Sequence, residues 1–480
     1  MIFVAAISLV IALLCGITVY KSRKVKNRAD FLVAGRSLRW PVLVFTLLSS
    51  WIGAGSLLGG AENAYQHGFV ALWQPLGGWL GLLVVALIAG RARQFAQFTV
   101  PDLLEVRYNA TARVLAAIAI VISNVIITSY QLIGGGDILH LIFPSISRNN
   151  GLYIMAVFVI FFTAAAGMAS IAYLDLVIGS LVTLTVIVAV PILLGRVGGW
   201  SEVRRGLPAT HFQVLGDYTL SRAIGLALPT MLLLVGNQGM YQKFFSAKSE
   251  SDARKSVVGW IVGTVVLETL LMAVAVIASA KLHTERPREI LALTAKEALP
   301  SWLGAILLGG IFAKVISTAN NYLFSPSTNL IHDVYGRFID RNASERKTLI
   351  VSRLIVIVLG AFAVLQATQF ESVLQAALYA YTVYGAAVTP AVLAVFFWRR
   401  STAAGAVSSI ILGTIVTIAW ELFQQYGPPG VKAAIGGIDA IYPALLISVV
   451  SLVVVSLRTR PTITKDDDRS HTRSSARQQT

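Results

Sequence analysis

Thirteen apolar stretches of about twenty residues follow one another along this chain of 480 residues, and they constrain its fold more than any other feature. A helix of about 20 residues crosses the roughly 30 Å hydrocarbon core of a bilayer, and backbone facing lipid must be helical or belong to a closed barrel. The sequence therefore predicts an all-α polytopic membrane protein with spans near 2–20, 40–66, 68–92, 112–141, 151–168, 170–196, 219–241, 256–281, 302–333, 348–368, 373–398, 403–423 and 435–457.

The basic residues predict the orientation of these spans. The net charge of +16 lies mainly in short loops between apolar stretches, which a membrane explains more simply than a nucleic-acid partner. The first stretch has no basic segment before it and no cleavage site, so we interpret it as an uncleaved helix with its N-terminus outside the plasma membrane. The basic residues then expected on the cytoplasmic side are those of Lys21 to Arg39, Arg91, Arg93, Arg107, Arg113, Lys243, Lys248, Arg254, Lys255, Arg337, Arg341, Arg346, Lys347, Arg399, Arg400, Arg458 and Arg460.

Two apolar stretches are interrupted in the same way. Trp51 to Ser56 and Val235 to Gly239 place glycines and polar residues where a continuous membrane helix favours leucine or valine. Unwound backbone at that depth must be buried in protein or line a cavity. Counted from the second span, the interrupted stretches are the first and the sixth, as an inverted repeat of five plus five helices requires.

The segment from Gly309 to Tyr335 carries polar groups on one face of an apolar helix. Lys314, Ser317 and Thr318 are spaced i, i+3 and i+4, so they project from the same side one turn apart. Lys314 lies roughly 17 Å along the helix from Leu303 at 1.5 Å per residue, too deep for its stem to reach an interface easily. This face predicts an ion site, in which the ammonium replaces or competes with a bound cation. A lysine that faces a water-filled cavity, or that pairs with one carboxylate for structure, remains the alternative.

The sequence contains few features that would indicate another class of membrane protein. The single cysteine, Cys15, excludes intramolecular disulfides, and the six histidines form no metal-binding motif. No nucleophile stands with a base and no paired carboxylates have a defined spacing, so we expect no enzyme and no cofactor. A membrane sensor would carry a signalling domain, whereas residues 458–480 are polar and short, and we expect them to form a disordered cytoplasmic tail. We therefore expect a transporter of a small organic solute in the lipid bilayer, without a nucleic-acid partner or an obligate protein partner.

Several motifs together resemble the sodium:solute symporters, a family that transports sugars, proline, pantothenate, choline and iodide. The resemblance covers nearly the whole chain and rests on Phe31 to Leu38 (FLVAGRSL), Thr46 to Gly68 (TLLSSWIGAGSLLGGAENAYQHG), Asn237-Gln238 with Gln242-Lys243 and Ala247 to Ser249, Ile316 to Ala319 with Asp333 to Tyr335, and Phe397 to Thr402 with Gly405-Ala406. It implies one transporter domain over 1–457, with a LeuT-like pair of inverted repeats at 40–196 and 219–398. It also implies an extra first helix at 2–20 and two further helices at 403–457.

The resemblance implies where sodium would bind. In the family the ion is held by carbonyls of the interrupted first helix, matching Ser49 and Ile52, and by the eighth helix, matching the carbonyl of Lys314 and the hydroxyls of Ser317 and Thr318. An aspartate of the fifth helix contributes as well, and Asp175 matches it.

The lysine departs from the family pattern, because the position of Lys314 is usually a small residue. Two mechanisms therefore remain open. In the first, sodium is the coupling ion and Lys314 is a modulator or a salt-bridge partner of Asp175. In the second, transport is sodium-independent or proton-coupled, and the ammonium is a built-in cation.

The spans that match those of the family predict which residues surround the solute. They are Trp51, Ser56, Trp73, Gln74, Gln131, Thr230, Asn237, Thr264, Thr382 and Tyr384. Small hydroxyl residues stand where the sugar transporters of the family have longer polar side chains, so a sugar is not the expected substrate. Three acids in or near the apolar spans, Glu62, Asp137 and Glu268, are candidates to pair a cationic or zwitterionic solute. For Asp137 we instead favour a helix end in water, whereas Glu268 stands one turn from Thr264.

Overall fold

Helices form nearly all of the part of the chain that the structure describes. The computed structural model describes residues 2–22, 34–95, 99–370 and 372–460. Its α-helices are α1 (Ile2–Ser22), α2 (Trp40–Trp51), α3 (Ala61–His67), α4 (Trp73–Phe95), α5 (Val100–Arg107), α6 (Ala110–Ile142), α7 (Arg148–Val197), α8 (Trp200–Gly206), α9 (Leu220–Gly236), α10 (Gln238–Ser246), α11 (Glu250–Ser279), α12 (Ile290–Leu293), α13 (Ser301–Asn329), α14 (Glu345–Ala367), α15 (Val373–Ala387), α16 (Thr389–Phe397), α17 (Ala403–Tyr426), α18 (Pro429–Ile435) and α19 (Ile441–Arg458). A π-helical segment, Gly55–Gly60, precedes α3, and a longer one, Leu330–Ile339, continues α13.

Short polar side chains begin many of these helices. The side chain of Asn109 accepts a hydrogen bond from the Ala112 amide at the start of α6. Serine or threonine caps α5, α7, α9, α11, α14, α15 and α17 in the same way. These residues satisfy amides that have no partner within the helix, so the loop sequences fix where each helix begins.

The helices correspond to the thirteen predicted spans. Within the described ranges, eleven helices are long and apolar enough to cross a membrane, or twelve if α15 and α16, which meet at a bend of 40°, count as one span. One of the eleven, Gly55–Arg93, contains parts of two predicted spans, which separate at Gly68, where φ is 76°. The shorter apolar helix α2 supplies the first half of the interrupted span at 40–66. The predicted motif residues 31–33, and the predicted disordered tail beyond residue 460, lie outside the described residues.

Helix α7 joins two predicted spans in one helical run. A straight helix of its 50 residues would be about 75 Å long. Both ends nevertheless reach the same short segment of chain, because Arg148 contacts Glu289 and Arg196 contacts Ala298. The run therefore folds back on itself. Its two apolar parts long enough to cross a membrane, Arg148–Ala165 and Ala172–Val197, are the two spans predicted at 151–168 and 170–196.

Helix α13 is the centre of the molecule. From Leu307 to Asn329 every residue is buried, and the helix packs against α1, α2, α6, α7 and α14. The last two long helices, α17 and α19, pack on each other and against α15 at the periphery. The polar face that the sequence places on α13 is therefore enclosed by other helices instead of facing lipid, as membrane-buried charges require.

Close packing of α4 against α9 depends on Gly77. A Cβ atom built on Gly77 would lie 1.8 Å from the carbonyl oxygen of Ala227. We expect Gly77→Ala to lower the free energy of unfolding by about 1–3 kcal/mol, because the two helix backbones must separate. Gly195→Ala is the matched control, since a Cβ there meets nothing within 4 Å. Thermal unfolding in detergent measures both variants, and equal midpoints would contradict the expectation.

Candidate functional site

The first interrupted span breaks between α2 and α3. Ile52 leaves the helix with φ −87° and ψ 99°. The amide of Ala54 then donates to Oε1 of Gln131 at 2.7 Å, which satisfies a group that the break exposes. A Cβ on Gly53 would lie 2.5 Å from Cγ2 of Thr318, so the residue at the centre of the break must be glycine for α13 to approach. The break thus brings the end of α2 directly onto the polar face of α13.

Four oxygen atoms meet where the break touches α13. The hydroxyl of Thr318 lies 2.9 Å from the carbonyl oxygen of Ser49 and 3.3 Å from that of Ile52. It also lies 2.9 Å from the carbonyl oxygen of Lys314 one turn earlier. All four oxygens belong to residues that the sequence predicts for the cation site. Hard cations such as sodium favour carbonyl and hydroxyl ligands of this kind.

The ammonium of Lys314 is directed at the end of α2. Its Nζ atom lies 3.0 Å from Oγ of Ser49 and 3.3 Å from the carbonyl oxygen of Leu48, and the residue is completely buried. The sequence-based expectation of a salt bridge to Asp175 is therefore wrong for this conformation. No ion pair within 4.0 Å joins these two described residues. The four-carbon stem lets the ammonium turn toward the last turn of α2, where a carbonyl oxygen and a serine hydroxyl accept hydrogen bonds from it.

Asp175 is bound by neutral donors. Its carboxylate accepts from the hydroxyl of Thr46 at 2.5 Å, from the hydroxyl of Ser317, and from Nδ2 of Asn321 at 3.4 Å. Ser317 is therefore turned toward Asp175, one turn away from Lys314. The predicted cation residues thus form two adjacent groups, one around Thr318 and one around Asp175.

A second buried lysine adjoins this network. Nζ of Lys243 donates to Oδ1 of Asn321 at 2.9 Å, and the residue has no exposed surface. The sequence analysis placed Lys243 with the basic residues of a cytoplasmic loop, which is wrong. Helix α10 carries it inward, because the residues from Gln238 to Ser246 are almost all buried against neighbouring helices. Because Lys243 is only five residues from Lys248, the sequence did not show that Lys243 is buried.

The second break, between α9 and α10, is closed by a tyrosine. The Tyr384 hydroxyl donates to the carbonyl oxygen of Gly236 at 2.9 Å and accepts from the amide of Gln238 at 2.8 Å. Asn237 also donates to the Tyr322 hydroxyl at 3.1 Å. Both predicted residues, Asn237 and Tyr384, therefore lie at this break, where they satisfy its backbone and fix its geometry.

A small cavity contains most of the remaining predicted solute residues. Its lining consists of Trp51, Ser56, Gln74, Pro75, Thr230, Glu268, Met272 and Tyr381. Five of these were predicted, and Pro75, Met272 and Tyr381 were not. Glu268 accepts from Nε1 of Trp51 at 3.0 Å and from Nε1 of Trp79 at 2.8 Å. The missed residues have no polar pattern that would distinguish them from ordinary helix packing.

The chain matches known proteins over most of its length. The sequence profile of the sodium:solute symporter family matches residues 31–413. The chain belongs to this family. It is a secondary active transporter, and the sequence-based recognition is confirmed.

Relatives of this symporter-family chain include two bacterial proline transporters. An osmoregulated proline transporter, OpuE, of Bacillus subtilis (strain 168) is 24% identical over 458 residues, which cover 92% of this chain and 92% of the relative. A sodium/proline symporter of Escherichia coli (strain K12) is 26% identical over 460 residues, covering 91% of this chain and 89% of the relative. Both similarities extend through the two interrupted spans.

Solved structures establish the fold of the transporter. A Na+-coupled sialic acid symporter in a substrate-bound outward-open state superposes with a TM-score of 0.79 at 17% identity, covering 97% of this chain and 99% of that one. Mhp1, a nucleobase-cation-symport-1 family transporter, gives 0.58 at 11% identity, with 92% and 98% covered. MhsT in complex with L-phenylalanine gives 0.53 at 13% identity, with 87% and 99% covered. The predicted LeuT-like fold is therefore confirmed.

Besides Gln131 at the first break and Asn237 and Tyr384 at the second, three predicted solute residues of the transporter lie away from the small cavity. Trp73 donates to the carbonyl oxygen of Val214 at 2.8 Å and lines a separate apolar pocket. Thr382 lines a pocket with Glu421 and Asp439 on the far side of α15. Thr264 is buried on α11 and does not line the cavity that holds Glu268. These residues therefore lie on helices around the cavity or near it, but their side chains do not line it.

Ion pairs hold α6 to its neighbours at both ends of the transporter. Arg113 pairs with Asp333 at 2.6 Å near the start of the helix, and Asp137 pairs with Arg148 and Arg288 at 2.9 Å near its end. These clusters are about 36 Å apart along the helix. Asp137 is only 2% exposed, so its expected position in water is wrong. Arg148, at the start of α7, and Arg288, in the short helical turn before α12, cover it, and sequence spacing does not reveal either contact.

Glu105 connects the first of these clusters to solvent. Burial raises the pKa of this carboxyl, but hydrogen bonds and the positive charges of Arg113 and Arg337 outweigh burial and lower the pKa below its ordinary value. Glu105 is therefore ionised at neutral pH and bridges the buried and exposed arginines.

Proposed function

We propose that the Lys314 ammonium takes the place of the bound sodium ion in this transporter, which is then sodium-independent or proton-coupled. Lys314 lies 3.0 Å from the Ser49 hydroxyl, beside the carbonyls that would otherwise hold sodium, and this observation supports the proposal most strongly. A fixed ammonium holds the break of α2 against α13 when it is charged. Loss of its proton would release that contact, so a proton could replace sodium as the coupling ion.

Coulomb repulsion is the physical reason why sodium and the charged lysine compete. Two unit charges about 4 Å apart repel by about 4 kcal/mol at an effective dielectric constant of 20. Lys243 adds further positive charge, because its ammonium donates to Asn321, which in turn donates to Asp175. A single carboxylate, Asp175, therefore faces two ammonium groups before any sodium ion enters.

Sodium coupling is the second candidate mechanism. Two observations favour it: family membership and the four oxygens that converge around Thr318. In this case Ser49, Ile52, Lys314, Ser317 and Thr318 would supply carbonyl and hydroxyl ligands. Asp175 would balance the charge, and the ammonium of Lys314 would turn away from the ion.

The solute is a small organic molecule, and the cavity around Trp51 and Glu268 is its proposed site. Relatives named as proline transporters make L-proline the first solute to examine. We propose that the domain organisation is the one expected from the sequence, with repeats at 40–196 and 219–398. We also propose that the end of the bundle at Arg113 faces the cytoplasm and that the end at Asp137 faces outward from the plasma membrane.

Uptake into vesicles tests the coupling. Purified protein is reconstituted, and accumulation of labelled L-proline and other small solutes is followed under an inward sodium gradient, an inward proton gradient, or neither. We expect accumulation with a proton gradient in sodium-free buffer. Accumulation that requires sodium, and that a proton gradient does not support, would replace the proposal with the second candidate.

A further inference from the structure

Glu268 is a buried carboxylate without a positive partner. It is 1% exposed, and among the described residues no lysine, arginine or histidine nitrogen lies within 4.0 Å of it. Its hydrogen bonds come from neutral groups, namely the indoles of Trp51 and Trp79 and the Ser56 hydroxyl at 3.3 Å. A buried carboxyl group either holds a proton or is paired with a positive group, and an arriving cation would favour its ionised form.

Gln74 provides a second, independent sign of a ligand. It lines the same cavity and is 4% exposed, yet its Oε1 atom has no hydrogen-bond partner in the part of the chain that the structure describes. A buried carbonyl oxygen without a donor is costly, and a bound group with N–H donors would satisfy it. The cavity therefore presents a carboxylate and a carbonyl oxygen, and no basic side chain lines it.

Aromatic rings complete the surroundings. The ring of Trp51 stacks on that of Tyr381 with their centroids 6.4 Å apart, and both residues line the cavity. The faces of such rings attract cations, so they are compatible with an ammonium group. An anionic solute would instead meet the charge of Glu268, and a neutral solute would leave that charge without a partner.

Trp51 also separates this cavity from a second one. Both have volumes of about 10 Å³, room for about one water molecule, so a solute needs the walls to rearrange. Trp51 lines both cavities, and its movement would enlarge both. Such a movement would break the indole bond to Glu268. The carboxylate would then be available at the moment when a cationic group arrives.

We infer that the transported solute carries a protonated amine, and that Glu268 is its counter-ion, with Gln74 accepting a hydrogen bond from it. This inference rests on the proposed assignment of the cavity as the solute site. It identifies the class of solute, which neither the family nor its coupling ion determines.

Thermal unfolding of the purified full chain tests the inference with matched solutes. The panel contains the common amino acids, their decarboxylated amines, and partners in which oxygen replaces the nitrogen, such as tetrahydrofuran-2-carboxylate for L-proline and cyclohexanol for cyclohexylamine. We expect stabilisation by one or more amines and none by their oxygen partners. Stabilisation by the oxygen partners to the same extent, or by no amine in the panel, would overturn the inference.

Two substitutions assign the effect to the carboxylate. Glu268→Gln keeps the shape of the side chain and is expected to weaken binding of the amine about tenfold or more, because it removes a charge-assisted hydrogen bond. Glu268→Asp should retain part of the affinity, and Glu297→Gln, at an exposed glutamate, should change nothing. Unchanged amine affinity in a folded Glu268→Gln protein would refute the role of Glu268. Sodium responses are measured without solute, so a failure of the Lys314 proposal would not be confused with this result.

Discussion

Replacement of Arg113 by methionine is expected to lower the free energy of unfolding by about 3–5 kcal/mol, the largest loss of stability that we predict for a single residue. The guanidinium lies 2.6 Å from Asp333, whose side chain has no exposed surface, while the arginine side chain is 6% exposed. Methionine fills similar space but leaves the buried carboxylate without a positive partner. Thermal unfolding in detergent, compared with the wild type, measures the loss.

Arg337→Met is the control for this prediction. Arg337 lies in the same cluster and donates to Glu105 at 2.9 Å, but its side chain is 45% exposed. Exposed ion pairs contribute about 0–1 kcal/mol, so the control should lose little stability. The double variant Arg113→Met with Asp333→Leu should recover most of the stability, because it leaves no buried charge unpaired. Similar small losses in Arg113→Met and Arg337→Met would contradict the importance of burial.

Removal of the ammonium at Lys314 is expected to make a sodium-indifferent protein respond to sodium. Lys314→Ala removes the positive charge beside Ser49 and Leu48, while the carbonyls of Ser49 and Ile52 and the Thr318 hydroxyl remain. A ligand that binds only the folded state stabilises it by about 2.7 kcal/mol at a hundred times its Kd. The midpoint of thermal unfolding of Lys314→Ala should therefore rise with sodium and not with potassium.

Three further variants separate charge from volume at this position. Lys314→Met removes the charge with little loss of volume and should also respond to sodium, whereas Lys314→Arg keeps the charge and should not. Adding Thr318→Ala to Lys314→Ala should abolish the new response, because it removes an oxygen at the centre of the cluster. A Lys314→Ala protein as indifferent to sodium as Lys314→Arg would show that the ammonium does not exclude the ion.

Local patterns in the sequence predicted much of this arrangement. The glycines and polar residues of the two interrupted spans correctly located both breaks, because unfavourable helix residues are visible without any partner. The spacing of Lys314, Ser317 and Thr318 correctly placed them on the enclosed face of α13, because that spacing follows from helix geometry.

Contacts between distant helices could not be predicted in the same way. Glu268 and Trp79 are 189 residues apart, and nothing in either segment indicates the other. Lys314 shares a face with Ser317, yet its flexible stem turns to the break while Ser317 turns to Asp175. Helical spacing determines the direction of a Cβ atom, whereas neighbouring helices determine where a long side chain ends.

Thermal unfolding of the unmodified protein in sodium chloride and in potassium chloride, at equal ionic strength and without solute, tests most directly whether Lys314 replaces sodium. Equal midpoints in the two salts are predicted, because the ammonium already provides the positive charge at the break. A rise that is specific to sodium and saturates with its concentration would contradict the built-in cation and make sodium the coupling ion of this transporter.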